Sequence, residues 1–324
     1  MSGRMVRILN AEPDGYAEEA REILRSLGEL VERRMTQQAL EAEISGYDVL
    51  VTRLGLSINA AVLSSPRLMA VVTATTGLDH IDTEAAAAYG VETLSLRGET
   101  AFLRDVPATA EHTWALLLAL VRRVPQAFQS VLDGAWDRDR FRGTELRGKT
   151  LGLVGVGRVG TQVARFGLAF GMRVVGHDPA PETSVDGVEY VDSLDEVLRA
   201  ADVVSLHAPL DDATMGLIGA RELELMRPGT LLVNTSRGAV VDEAALIEAL
   251  RSGRLAGAAV DVLAHERNAR HSPLVAYARI HDNLIVTPHI GGATVESMAR
   301  TEVFMARKLA HFLERRAVAH GEHA

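Results

Sequence analysis

The chain's 324 residues are enough for two domains of ordinary size, each with its own core, and 47% hydrophobic with 24% charged residues is a soluble globular composition. A formal net charge of −9 with no compensating basic stripe argues against a nucleic-acid partner, and the absence of cysteine excludes disulfides, thiol catalysis and thiolate metal sites. The N-terminal MSGRMVRILN lacks the apolar core of a leader, and the longest apolar run, 114–121, is far too short to span a membrane, so a cytoplasmic location is expected.

Strand-like runs at 5–9, 49–51, 69–73 and 91–94 alternate with helical patterns near 16–27, 37–44, 59–63 and 82–89. This alternation predicts a parallel sheet with helices on both faces, a small doubly wound domain. Beyond one of its strands lies TATTGLDHID, residues 73–82. The turn either offers backbone amides to an anion or is a plain connection with Asp82 capping the next helix. Residues 95–107, SLRGETAFLRDVP, show no period and read as a loop carrying Arg97 and Arg104. A long apolar helix over 108–130 follows, which Pro125 kinks or ends. The charged stretch GAWDRDRFRGTELRG, 134–148, reads as a connecting arm with Trp136 and Phe141 set against something apolar.

The stretch TLGLVGVGRVGTQVARFGLAFGMRVVGHD, 150–178, combines a buried strand, a glycine-rich turn, a helix, a second strand and a terminal acid. In a GxGxxG turn Gly155 permits the tight bend, Gly157 lets backbone approach a pyrophosphate, and Gly160 lets helix and strand pack closely. The helix N-terminus with Arg158 and Val159 then faces the phosphates. Asp178 sits where an acid accepts hydrogen bonds from a ribose 2′-hydroxyl and repels a 2′-phosphate, so NAD is expected over NADP. A glycine-rich turn alone occurs in any α/β protein. The acid and second strand at the required spacing are what single this one out.

Further buried strands fall at 203–206, 231–233, 257–262 and 283–286, with helices at 194–200, 220–225 and 242–252 and a long amphipathic helix at 295–315. Arg237 in NTSRG follows a strand, at the edge where open α/β sheets bind ligands, and its guanidinium suits a carboxylate. His289 in TPHIGG and Glu266 in DVLAHERN also follow strands, and a carboxylate beside an imidazole favours the charged ring. Spacing alone does not bring the two together.

The motifs GLDHID, ATAEHT, LRGKTLGLVGVGRVG, LHAPL with Thr214, NTSRGAVVDEAAL, AAVDV and TPHIGGAT, in this order, resemble the D-isomer-specific 2-hydroxyacid dehydrogenase family. The resemblance runs from about residue 47 through the last helix. It implies an α/β fold of two doubly wound parallel-sheet domains. A Rossmann NAD-binding domain, 108–289, would be inserted into a flavodoxin-like substrate (catalytic) domain made of 1–107 and 290–324. It implies an oxidoreductase, a 2-oxo acid reductase interconverting a 2-oxo acid and a D-2-hydroxy acid. Arg237 would hold the substrate carboxylate, His289 pass the C2 proton, and Glu266 orient and charge His289. Thr76, Gly77 and Leu78 would supply backbone amides. Asp261 would hold the nicotinamide carboxamide, with His207, Pro209, Thr214, Thr235, Ser236, His289 and Gly291 in segments lining the cofactor groove. No metal is called for. A homodimer would be built on the helix after ATAEHT and on the arm around Trp136.

Two departures stand near the expected substrate mouth: Arg267, where proline usually follows the glutamate, and a longer segment before ATAEHT. With Arg97 and Arg104 they raise the reading of a second anionic group on the substrate, against solvent-facing arginines balancing Glu99 and Asp105. Other readings remain open on the same scaffold. One is an NAD-sensing corepressor-like binding protein; the other is a phosphite- or formate-type dehydrogenase, although formate enzymes pair the histidine with glutamine where this chain has Glu266.

Overall fold

The computed structural model describes residues 5–180 and 184–321, so the outermost ends of the expected substrate domain, 1–4 and 322–324, lie outside the described residues. The chain divides into two units, Met1–Leu103 with Thr294–Ala324, and Arg104–Ala293. The sequence expectation set the boundaries at 107/108 and 289/290.

The first unit runs β1 (Arg7–Asn10), α1 (Glu18–Leu27), β2 (Glu29–Glu32), α2 (Gln37–Glu43), β3 (Val49–Thr52), α3 (Ala60–Leu63), β4 (Ala70–Thr73), α4 (Thr83–Ala88), β5 (Glu92–Leu94) and α5 (Thr100–Leu103). Its strands are parallel in the order β2-β1-β3-β4-β5, the flavodoxin-like winding. The central strands VLVT and AVVT are buried throughout, as expected of strands covered on both faces. Thr36, Asn59 and Asp82 cap α2, α3 and α4 by accepting from Ala39, Val62 and Ala85 N–H.

The second unit runs α6 (Ala108–Val121), α7 (Val124–Leu132), β6 (Thr150–Val154), α8 (Arg158–Ala169), β7 (Arg173–His177), β8 (Val188–Tyr190), α9 (Leu194–Ala200), β9 (Val203–Leu206), α10 (Ala220–Leu225), β10 (Thr230–Asn234), α11 (Glu243–Arg251), β11 (Leu255–Val260), α12 (Pro273–Ala278) and β12 (Leu284–Val286). The sheet order is β12-β11-β10-β9-β6-β7-β8, all parallel where paired. Its reversal lies between β6 and β9, the switch point beside which doubly wound sheets take dinucleotides. Trp114 ties α6 to α8, stacking on Phe170 at 4.6 Å and donating its indole N–H to Val163 O at 3.3 Å.

The last helix, α13 (Val295–Gly321), belongs to the first unit. Its buried Glu302 accepts from Ala17 N–H at 2.7 Å and from Arg53 at 2.5 Å, so a carboxylate that could not be buried alone holds α13 on that unit. Phe304 stacks on Phe102 at 4.1 Å, and Lys308 binds Glu99 and Ser95 O.

Several expectations are corrected. Residues 95–107 are not all loop, because α5 forms within them. The apolar helix expected over 108–130 is two helices, α6 and α7, separated at Arg123, which adopts φ 53°, and Pro125 opens α7 rather than ending α6. Trp136 is 89% exposed in the single chain, and Phe141 lies against the guanidinium groups of Arg123 and Arg140. Strands β2 and β8 were not expected. No helix among the described residues is long and apolar enough to cross a membrane.

Candidate active site

Parallel strands leave their carboxyl ends on one edge, and the second unit's chemically distinctive side chains all follow strand ends there. At the end of β6, Gly155 takes φ 87°, and a Cβ on it would stand 2.9 Å from Ala208 N and His207 C. A Cβ on Gly160 would fall 2.3 Å from Gly155 O, so helix and turn pack closely only without a side chain. Around Gly157 there is open space, leaving room for a group to approach the backbone where α8 begins. Arg158 opens α8 and donates to Val106 O at 3.3 Å, and burial lowers its guanidinium's pKa from the usual value, a cost that a nearby anion would relieve. Val159 follows it, half-buried.

Asp178, just past β7, accepts from Val156 N–H at 2.8 Å and from Ala180 N–H at 2.9 Å. It thus joins the glycine turn to the second strand, and each oxygen keeps a lone pair for a ribose hydroxyl. These residues fit a dinucleotide: a cradle of backbone, a helix start and one acid.

Beyond β9, His207 Nε2 lies 2.9 Å from Ser205 Oγ, and although the residue retains some surface, desolvation of its ring pushes its pKa down to about 3, keeping it neutral. Thr214 folds the following loop back, donating to Pro209 O at 2.6 Å and accepting from Asp211 N–H at 2.9 Å. After β10, Thr235 pairs with Thr113 at 2.7 Å, while Ser236 donates from both N–H and hydroxyl to Asn234 Oδ1.

Arg237 is half-buried, with Nη1 on Ser236 O at 2.7 Å and its own carbonyl accepting from Asn234 Nδ2. The next residue has to be glycine, since a Cβ on Gly238 would lie 2.0 Å from Leu263 C. That close approach sets the Arg237 turn against the backbone leading to Glu266. Glu243 fastens the same segment by accepting from Ala264 N–H at 2.8 Å.

β10, β11 and β12 are neighbours in the sheet, so Arg237, Glu266 and His289 follow the ends of three consecutive strands. Both Glu266 carboxylate oxygens reach His289 Nδ1, at 2.9 and 2.8 Å. A carboxylate only accepts, so Nδ1 carries hydrogen and Nε2 is the nitrogen left to exchange a proton. The contact that spacing left open is therefore made.

Asp261, expected to hold the nicotinamide carboxamide, also has protein partners. It is 1% exposed, and its carboxylate already accepts from His112, Thr287, Ile290 N–H and Gly291 N–H. Burial raises its pKa, but these hydrogen bonds outweigh that and hold it below the usual carboxylate range. Oδ1 takes three of these donors and Oδ2 one, Gly291 N–H, so Oδ2 keeps a lone pair for a further donor. Sequence reasoning passed over His112 as a binding group; the available signal was a polar run, Glu111, His112 and Thr113, within the apolar α6.

Thr76, Gly77 and Leu78 follow β4 in the first unit, half-buried, with Thr75 Oγ1 donating to Gly77 O at 2.8 Å and Ile81 N–H to Leu78 O. Among the described residues we find no protein acceptor for the N–H groups of 76–78. Arg97, of the first unit, and Arg104, of the second, are exposed, and Glu99 pairs with Lys308.

Fold and site together define a two-unit doubly wound α/β protein whose larger unit is built for a dinucleotide. Residues 114–291 match the family model for the D-isomer specific 2-hydroxyacid dehydrogenase NAD binding domain. The chain is 38% identical over 310 residues to a D-3-phosphoglycerate dehydrogenase of Methanocaldococcus jannaschii, covering 94% of this chain and 57% of that protein. It is 41% identical over 278 residues to a glyoxylate reductase of Aeropyrum pernix, covering 82% and 80%. The crystal structure of D-lactate dehydrogenase from Aquifex aeolicus complexed with NAD and lactic acid superposes with a TM-score of 0.81 at 30% identity, covering 95% of each chain. The chain belongs to the D-isomer-specific 2-hydroxyacid dehydrogenase family, and it spans little more than half the length of the phosphoglycerate dehydrogenase it matches.

Proposed function

We propose that this protein is an NAD-dependent oxidoreductase that interconverts a 2-oxo acid and its D-2-hydroxy acid by hydride transfer at C2. The observation that carries the reading is the Glu266–His289 pair, set with Arg237 beyond three adjacent strands of the unit that bears the dinucleotide turn. When bound, NADH supplies the hydride. Arg237 holds the substrate carboxylate and polarises the 2-oxo group, while Nε2 of His289 gives the proton that the C2 oxygen gains. In the oxidative direction the same nitrogen takes that proton back. Glu266 fixes which ring nitrogen is free and offsets the positive charge when the ring is protonated. The amides of Thr76, Gly77 and Leu78 are proposed to bind the substrate carboxylate.

Gly155, Gly157, Gly160, Arg158 and Val159 are proposed to take the pyrophosphate and Asp178 the adenosine ribose, with His207, Pro209, Thr214, Thr235, Ser236 and Gly291 along the groove. Asp261 is proposed to hold the nicotinamide carboxamide through Oδ2, which keeps a lone pair beside its bond from Gly291 N–H. The reading includes a cytoplasmic location, consistent with a cysteine-free sequence. A second anionic group on the substrate, met by Arg97 or Arg104, is supported by their exposure and by the phosphate-bearing acid in one relative's name.

A panel tests this. Pyruvate, hydroxypyruvate, glyoxylate, oxaloacetate and 3-phosphohydroxypyruvate are offered with NADH and with NADPH, and phosphite and formate with NAD, following nicotinamide absorbance. We expect a 2-oxo acid to be reduced, with kcat/KM for NADH at least about tenfold above NADPH, as loss of a charge-assisted hydrogen bond alone would give. Turnover of phosphite or formate only would select that alternative, and NADH binding without turnover would select the corepressor-like reading.

We further propose that a second copy of the chain covers α6 and α7. Val124, Phe128, Val131 and Leu132 are 49–64% exposed, and Ala115, Leu118 and Ala127 line a concave apolar face beside them. Light scattering should give a dimer for the wild type, and Phe128→Glu should give monomers. A wild-type monomer, or a dimer indifferent to Phe128→Glu, would remove this surface from consideration.

A further inference from the structure

His289 adopts φ 55°, a left-handed conformation uncommon for a side chain of its size. Such a residue persists where its surroundings over-determine it. Here the surroundings are Asp261. Its main-chain carbonyl accepts from His289 N–H at 2.8 Å, while Oδ1 accepts from Ile290 N–H at 2.9 Å and Oδ2 from Gly291 N–H at 2.7 Å. Successive N–H groups converging on an anion form a nest, and this one is filled by a carboxylate of the protein itself.

A carboxylate that is 1% exposed is tolerated only when donors surround it. Thr287 Oγ1 donates to Oδ1 at 2.5 Å, so three donors come from the turn that Asp261 holds. The remaining donor comes from α6: His112 Nε2, 3.1 Å from Oδ1 and 3.2 Å from Thr287 Oγ1. Because the carboxylate only accepts, His112 carries hydrogen on Nε2. Its ring therefore fastens Asp261, and the turn around it, to a long helix of the same unit.

We propose that His112 is a positioning residue for His289: by donating to Asp261 from α6 it completes the buried carboxylate that holds residues 287–291, and so keeps the His289 imidazole on Glu266. The effect on turnover rests on the function proposed above; the effect on the turn does not. The role is distinct from the carboxamide contact proposed for Asp261, since His112 donates to Oδ1 whereas Oδ2 is the oxygen with a lone pair to spare.

The test compares His112→Leu, which fills the space without a donor, with His112→Gln, whose amide can donate. In protein labelled with 15N-histidine, the Nδ1 proton of His289 held by Glu266 gives a downfield resonance, assigned by its loss in Glu266→Ala. We expect it to persist in His112→Gln and to shift markedly or broaden away in His112→Leu. In the 2-oxo acid assay, kcat should fall about tenfold in His112→Leu and less than about threefold in His112→Gln, with KM for NADH within about twofold in both, as for a displaced charge-assisted contact. An unmoved resonance in His112→Leu would overturn the proposal. So would equal losses in the two variants with weakened NADH binding, which mark a merely structural role. If the wild type reduces no 2-oxo acid, the functional reading fails while the resonance still decides this one.

Discussion

Replacing His289 with asparagine should lower kcat for 2-oxo acid reduction by a factor of about 10² to 10⁴, the usual contribution of a positioned proton donor. Asparagine is the informative substitution because it tolerates the left-handed backbone that His289 occupies, so the turn survives while the titrating group is lost. KM for NADH should stay near the wild-type value. Glu266→Gln should fall between the two enzymes, by roughly 10 to 100-fold in kcat, because an amide can still orient Nδ1 but does not offset the ring's positive charge. Steady-state kinetics on the best substrate of the panel provides the check. Wild-type turnover in His289→Asn would remove His289 from the chemistry.

Arg237→Lys should reduce kcat/KM by roughly 10 to 100-fold, and Arg237→Ala by more, since each charge-assisted hydrogen bond contributes about 1.5 to 3 kcal/mol. An ammonium keeps the charge but not the planar fork that matches a carboxylate. The turn that presents Arg237 is fixed by backbone contacts at Gly238 and by Asn234 Nδ2 on the Arg237 carbonyl, to which the guanidinium adds a local bond from Nη1 to Ser236 O that an ammonium can replace. The substitution should therefore leave Tm nearly unchanged. A loss of activity accompanied by a large fall in Tm would point to the fold, and near-normal KM and kcat would remove Arg237 from the site.

The unit around 150–178 was readable because fully buried parallel strands leave continuous apolar runs, and the glycines sit where their backbone geometry is required. The edge strands β2, ELVE, and β8, VEY, left no such run, because each is only partly buried and its apolar residues are broken or flanked by glutamate. The division of α6 from α7 carries no glycine, only an arginine forced to φ 53°, so the apolar period runs through it. For the site, a residue's place after a strand was legible, but not which strands are neighbours. Glu266 and His289 meet because β11 pairs with β12, a fact of topology rather than of spacing. The grip of His112 on Asp261 was hidden for the same reason: a buried carboxylate's donors come from α6 and from the turn after β12.

The most direct measurement is to reduce the best 2-oxo acid of the panel with NADH dideuterated at C4 of the nicotinamide ring, then determine the configuration and isotope content of the product. Hydride transfer at C2 predicts the D-2-hydroxy acid carrying one deuterium on C2. An L-product, a product without deuterium at C2, or no consumption of any 2-oxo acid would contradict it.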